Sequence, residues 1–344
     1  MKEQETWQRL YAAAIAFRDA APWDQMYDSD LFGVQNPETG EIGYCCIMGN
    51  AGQVFGLGLY LGEAGLASYL ALLERHDQHT DDDRLALGLS QVMLKAEFVD
   101  RKELDAAELA QIKSLGLKFR GARQWPQFRE HRPGYEPWRI SAEQARFLTH
   151  ALEQAPDVAF RFAVEDLDII REDDKAMLVR VAAKQNEQWV WEDRYLNHYL
   201  GVNAADFPAF EPDPEKIKQL KNRFRPSPQA DLLFSYRYLL GHWVKENRDE
   251  PAYLPKNALW MHGQSGMIVG MDLILPEDNL DKVGDSFYTT VENLKALPSG
   301  IYADSVMAAS AVIKLANALG IAVYVVSDHP VFREIKEMMA MRWE

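Results

Sequence analysis

The stretch Gly300-Ile301-Tyr302-Ala303-Asp304-Ser305-Val306-Met307-Ala308-Ala309-Ser310-Ala311-Val312-Ile313-Lys314-Leu315-Ala316-Asn317-Ala318-Leu319-Gly320-Ile321-Ala322-Val323-Tyr324-Val325-Val326-Ser327 decides the reading of the C-terminal half. Gly300–Ala303 and Ile321–Ser327 are short apolar runs that read as strands, with a helix over Val306–Leu319 between them. In that helix Ser310, Lys314 and Asn317 form one narrow polar stripe, so most of its circumference is buried. Strands separated by a helix predict parallel pairing with a right-handed crossover. Upstream, Ala258–His262 and Met267–Leu275 form a hairpin turning at Gly263–Gly266, followed by a helix over Ser286–Leu297. Downstream, Val331–Met339 is helical. The expectation is a C-terminal α/β domain, a hairpin followed by βαβα.

The N-terminal half reads as α+β. Leu10, Ala13, Ala14 and Phe17 give Trp7–Ala20 a helical period, and Pro22 stops it. The runs Leu31–Val34, Ile42–Met48 and Gln53–Leu61, joined by polar turns, predict an antiparallel meander leading into a helix through Glu74. Arg75–Arg84 reads as a polar loop, Gln91–Val99 as a strand, and Lys102–Leu115 as a helix capped near Asp100. Ser141 followed by Gln144 has capping-box spacing and starts a helix over Ser141–Gln154. Asp157–Ile170, Ala176–Ala183 and Gln188–Tyr195 read as strands. Pro208, Pro212, Pro214, Pro226 and Pro228 crowd one interval, which also holds the short basic helix Glu215–Phe224. The expected organisation is therefore an α+β domain over 1–200 (divisible into 1–85 and 86–200), a proline-rich linker over 201–230 and an α/β domain over 231–344.

The 344 residues carry 37 Lys+Arg against 52 Asp+Glu, a net charge of −15. Such a surface repels nucleic acid and anionic lipid on average, so any polyanion contact needs a local cationic patch. The two cysteines, Cys45 and Cys46, are adjacent on a strand and point to opposite faces, which disfavours mutual pairing or a shared metal. The scarcity of cysteine fits a reducing compartment. The N-terminus has acidic residues where a signal peptide needs basic ones, and the most apolar region, Ala311–Val326, is interrupted by Lys314, Asn317 and Gly320. A cytoplasmic protein without a membrane partner is expected; oligomeric state has no signature in the sequence.

Several chemistries lack their residues. Gly56-Leu57-Gly58-Leu59-Tyr60-Leu61-Gly62 is not G-x-G-x-x-G, and there is no Walker loop, G-x-S-x-G or H-E-x-x-H. His76-x-x-His79 with Asp81, Asp82 and Asp83 offers metal-type ligands on a loop that is not preorganised, so no metal site is assigned. Two constellations remain. Between Lys113 and Arg139 seven basic residues face two acidic ones, interleaved with five aromatic rings. Within it Lys118, Arg120, Arg123, Trp125, Arg129, Arg132 and Trp138 are the candidate ligand-binding residues, since cations beside rings suit a groove for single-stranded nucleic acid. A second basic run, Lys216–Arg225, could extend that strip, while pairing of these cations within an acidic body is the competing account. The other constellation places Asp304 and Asp328 at strand ends and Asp272 on the hairpin. Carboxylates gathered at strand ends can hold Mg²⁺ for phosphodiester hydrolysis; alternatively, Asp304 or Ser305 simply caps the next helix.

The element order, with Tyr302-Ala303-Asp304-Ser305, resembles part of a ribonuclease H-like fold, although Met261 and His262 stand where that superfamily places its leading aspartate. The chain as a whole resembles a family of uncharacterised bacterial proteins combining two domains of unknown function. The resemblance rests on Trp7-Gln8-Arg9-Leu10-Tyr11, Pro22-Trp23, Asp30-Leu31-Phe32-Gly33-Val34, Pro37-Glu38-Thr39-Gly40, Tyr44-Cys45-Cys46-Ile47-Met48-Gly49 and Pro133-Gly134-Tyr135-Glu136-Pro137-Trp138, with the α/β unit from about Pro251 onward. It implies no known activity or catalytic residue. The expectation is a non-enzymatic binding or regulatory protein that needs no cofactor, its partner single-stranded nucleic acid or a protein. The alternative is a metal-dependent phosphodiesterase or nuclease using Asp272, Asp304 and Asp328.

Overall fold

The computed structural model describes residues 3–73, 81–171, 175–186, 188–197, 209–241, 243–278, 280–326 and 328–341. The His76–His79 pair lies outside the described residues. The chain divides into two compact units, one built from residues 1–70, 91–132 and 137–204, the other from 71–90, 133–136 and 205–344.

The first unit opens with α1 (Glu3–Ala20), followed by β1 (Phe32–Gln35), β2 (Ile42–Met48), β3 (Gly56–Leu61) and α2 (Gly62–Leu73). The next helix, α3 (Asp81–Leu89), belongs to the second unit. Then come β4 (Met93–Val99), α4 (Ala106–Ser114), β5 (Trp125–His131), β6 (Trp138–Arg139), α5 (Ala142–Val164), β7 (Ile170–Arg171), β8 (Ala176–Gln185) and β9 (Gln188–Leu196). The strands form one nine-stranded sheet in the order β6-β5-β4-β3-β2-β1-β8-β7, with β9 paired to β8. The expected meander β1-β2-β3 is present and continues antiparallel through β4 and β5. One face is covered by α1 and α5: Leu10, Ala14 and Phe17 bury against a cluster holding Phe147, Leu148, Ala151 and Leu152. Each fully buried Leu or Phe there contributes roughly 1.5–3 kcal/mol. On the opposite face α2 supplies Leu66 and Tyr69 to a smaller cluster with Tyr44, Tyr60 and Met93. Cys45 lies in the first cluster and Cys46 in the second, so the adjacent thiols sit on opposite faces of β2. Burial pushes both thiols up, Cys46 to about 12.

Two expectations for this unit are overturned. Asp157–Ile170 is not a strand; through Val164 it continues α5, with Leu148, Ala151, Leu152, Ala155, Val158 and Ala159 buried at helical spacing. Pro156 lies inside this helix, beyond the expected end at Gln154. Nor is Lys102–Leu115 one helix. A 3-10 turn over Arg101–Glu103 precedes α4, which restarts from a second cap at Asp105.

The second unit adds α6 (Pro214–Arg223), β10 (Pro226–Ser227), β11 (Leu232–Tyr238), β12 (Lys256–His262), β13 (Ile268–Ile274), α7 (Asp281–Leu294), β14 (Leu297–Pro298), β15 (Gly300–Ala303), α8 (Val306–Leu319), β16 (Ala322–Val325) and α9 (Pro330–Met341). Its five-stranded sheet runs β13-β12-β11-β15-β16, antiparallel among β11, β12 and β13 and parallel among β11, β15 and β16. The expected hairpin and crossover are present, but the central strand, β11, was absent from the expectation. Ile217, Leu220 and Phe224 around α6 bury with α7 and α8 on one face, so the described part of the proline-rich interval contributes core. Phe332 and Ile335 of α9 bury against Leu233, Leu259 and Met261 on the other. From α3, Ala86 joins the first of these clusters. Pro133–Glu136 adds backbone bonds from Leu254 N–H to Gly134 O at 2.8 Å and from Glu136 N–H to Ala252 O at 2.8 Å. No helix among the described residues is long and apolar enough to cross a membrane.

Candidate functional site

The sequence between β4 and β5 folds back on itself through two consecutive caps. Asp100 N–H donates to Glu103 Oε1 at 3.1 Å and closes the 3-10 turn. Asp105 and Glu108 then form a capping box, with Glu108 N–H donating to Asp105 Oδ1 and Asp105 N–H to Glu108 Oε2, both at 2.8 Å. The helix ends at Gly116, whose φ of 70° belongs to the left-handed region that favours glycine. The returning loop is braced by Arg123, whose N–H donates to Asp100 Oδ1 at 2.9 Å and whose guanidinium donates to Gly52 O at 2.9 Å.

These turns line an open recess of about 560 Å³ in the first unit. Its apolar lining is Leu109, Ala110, Ile112, Leu117, Phe119 and Trp125. Its polar lining is Arg101, Lys113, Lys118 and Arg120, all exposed, with Gly116 completing the wall and no carboxylate among the lining residues. None of the four cations has an ion-pair partner among the described residues. Trp125 is half-buried; Phe119 tilts against it at 5.7 Å and 59°, and the Arg101 guanidinium lies 5.8 Å from its ring centroid. Unbalanced like charges around an apolar recess repel one another, and an anion relieves that repulsion.

Of the strip read from the sequence, Lys118, Arg120 and Trp125 line this cavity. Arg123 instead braces the loop, its guanidinium also 5.6 Å from the Phe55 ring. Arg129 is taken up by Glu108, the two making a bidentate pair whose longer bond, Nη2 to Oε2, is 2.9 Å. Arg132 lies 3.5 Å from Glu130, and Trp138 stands on β6 under the Arg139 guanidinium at 5.0 Å. Of the seven residues, three line the cavity and four do not. Arg101 and Lys113 complete the cationic ring but lie outside the candidate set. The paired acidic spacings Asp100/Glu103 and Asp105/Glu108 were the available signal that the chain doubles back there. In the second basic run Lys216 pairs with Asp285 at 3.1 Å and Arg223 pairs with Glu292.

The three aspartates of the alternative reading do not come together. Asp304 is buried, its carboxylate accepting from Ser235 Oγ and Arg237 Nε, while Arg237 Nη2 donates to Asp304 O at 3.1 Å. Asp272 is exposed on β13 opposite Ala258, and Asp328 is exposed and 3.3 Å from Arg333. No group of three or more His, Cys, Asp or Glu side chains among the described residues is placed to hold a metal. The residues do not fit Mg²⁺, because the Arg237 guanidinium already supplies positive charge at Asp304 and no second carboxylate joins it among the described residues. Ser305, not Asp304, caps α8, its Oγ accepting from Ala308 N–H at 3.1 Å.

Residues 7–180 match the family model described as a domain of unknown function, DUF7309, and residues 216–340 match a second, DUF6930. No curated protein matches the chain.

Proposed function

Starting from the fact that this chain belongs to the DUF7309 family and carries a DUF6930 domain behind it, we propose that it is a non-enzymatic binding protein that takes an anionic partner at the cavity between α4 and β5. The observation that carries this reading is the ring of Arg101, Lys113, Lys118 and Arg120 around an aromatic and apolar recess, with no lining carboxylate, in a chain whose net charge is −15. A surface acidic on average restricts polyanion contact to such a patch, so charge selects the site as well as the ligand. The order β13-β12-β11-β15-β16 supports a ribonuclease H-like reading of the second unit. Within that reading, Asp304 held by Ser235 and Arg237 argues for a role in structure or recognition rather than hydrolysis.

The test is salt-dependent binding of the full chain to a single-stranded oligonucleotide and to heparin. If Lys113, Lys118 and Arg120 each neutralise one phosphate, the log–log slope of affinity against salt is about −2 on the single strand. Replacing Lys118 and Arg120 together by alanine removes about two thirds of that slope and lowers retention on heparin. Absence of binding to both polyanions at low salt overturns the proposal.

A further inference from the structure

Resting on the reading of the cavity as an anion site, we infer that it seats one nucleobase with its phosphate, the base lying between the Trp125 indole and the Arg101 guanidinium. Charge alone would be met by a flat cationic surface, but here four cations surround rings and aliphatic side chains. A ligand that uses both must carry negative charge beside an apolar body. An alkyl anion fits poorly, because Ala110, Lys113, Gly116, Lys118 and Arg120 are all exposed and the recess is open, leaving a chain wetted along one side. A flat ring needs cover only on its two faces. The Arg101 carbon lies 5.8 Å from the Trp125 centroid. Two stacked contacts of about 3.5 Å require about 7 Å. Arg101 is exposed and its guanidinium makes no ion pair or hydrogen bond among the described residues, so it can withdraw by the remaining ångström. Lys113, Lys118 and Arg120 then remain for that phosphate and, on a strand, for its neighbours, and a volume of about 560 Å³ is within the usual range for small-molecule sites.

The same base-and-phosphate unit can come from a single strand or from a free nucleotide. We would measure fluorescence anisotropy of the full chain with an oligothymidylate, with an abasic strand of equal length, and with thymidine monophosphate as competitor. The expected result is binding of oligothymidylate about tenfold tighter than of the abasic strand. Arg101→Ala and Trp125→Ala each narrow that difference, while Trp125→Phe keeps most of it and a urea midpoint for each variant reports folding. Competition by the mononucleotide near the strand's own concentration range supports the slot and assigns it to free nucleotides; weak competition supports it and assigns it to strands. Equal binding of both strands overturns the base slot and leaves the anion site standing. No binding of either strand, with heparin also unretained, overturns both.

Discussion

Lys256 shows how far one side chain can depart from its surroundings. It opens β12 opposite Tyr238 and Ile274, and its ammonium lies 4.4 Å from the Tyr238 ring and 5.1 Å from the Tyr236 ring, with no carboxylate in ion-pair range among the described residues. Burial lowers its pKa from 10.5 to about 8. Between those two values the unfolded chain holds a proton that the folded chain has released, so the contribution of Lys256 to stability rises with pH across that window. Below about 8 the folded chain carries the full cost of the buried charge, on the order of 2 kcal/mol once the rings offset part of it. Lys256→Met is therefore expected to stabilise the protein at pH 7, with a gain over the wild type that shrinks as pH rises from about 8 toward 10.5. Urea midpoints for both proteins across that range test it, and a constant difference contradicts it. At this same scale the sequence exposed the candidate site only in part. Composition picked out Lys118, Arg120 and Trp125, but Arg129 has the same residue type and neighbourhood and is consumed by Glu108. Its partner lies 21 residues away and becomes visible only when α4 folds onto β5.

Helices and strands were more legible where their pattern was local. Val306–Leu319 was read to the residue, because a narrow polar stripe and a serine cap leave little freedom. The hairpin and the meander were likewise recovered. Errors arose where a tertiary partner overrides a local signal: Pro156 sits inside α5, and β11, buried on both faces, lacks the polar alternation that marks a strand. Gly284 in α7 illustrates the same override. An alanine in a helix interior ordinarily gains about 1 kcal/mol over glycine. Here a Cβ would come within 2.2 Å of the Phe210 ring, which is buried and packed against Tyr288 at 6.1 Å. Overpacking of this kind costs about 1–3 kcal/mol, more than propensity returns. Gly284→Ala is expected to lower stability by about 1–2 kcal/mol in thermal or urea unfolding, and a stabilised variant would show that Phe210 yields freely.

At the scale of the whole molecule, the two family matches follow the chain in sequence, whereas the compact units do not. The second unit takes 71–90 and 133–136 from the N-terminal half. Sequence patterns could not reveal this, because a segment's own period does not say which distant strands it packs against. A fragment comprising 205–344 therefore lacks Ala86 of the core, the Tyr238–Ser90 contact at 3.4 Å and the bonds from Gly134 and Glu136. That fragment is expected to unfold at lower urea than the same unit within the full chain, read by hydrogen exchange at β11 and β12. Equal protection in both would show that the borrowed segments add nothing to stability.

The interleaving also bears on how the polypeptide is made. A ribosome delivers α3 and Pro133–Glu136 long before it delivers β11, β15 and α8. At about 5–20 residues per second, the wait between Leu89 and Leu319 lasts roughly 10–50 s. Until β11 emerges partway through that interval, the cluster that Ala86 joins has none of its strands, and β15 and α8 follow later still. A nascent chain stalled before β15 thus exposes to chaperones a surface that the finished protein hides.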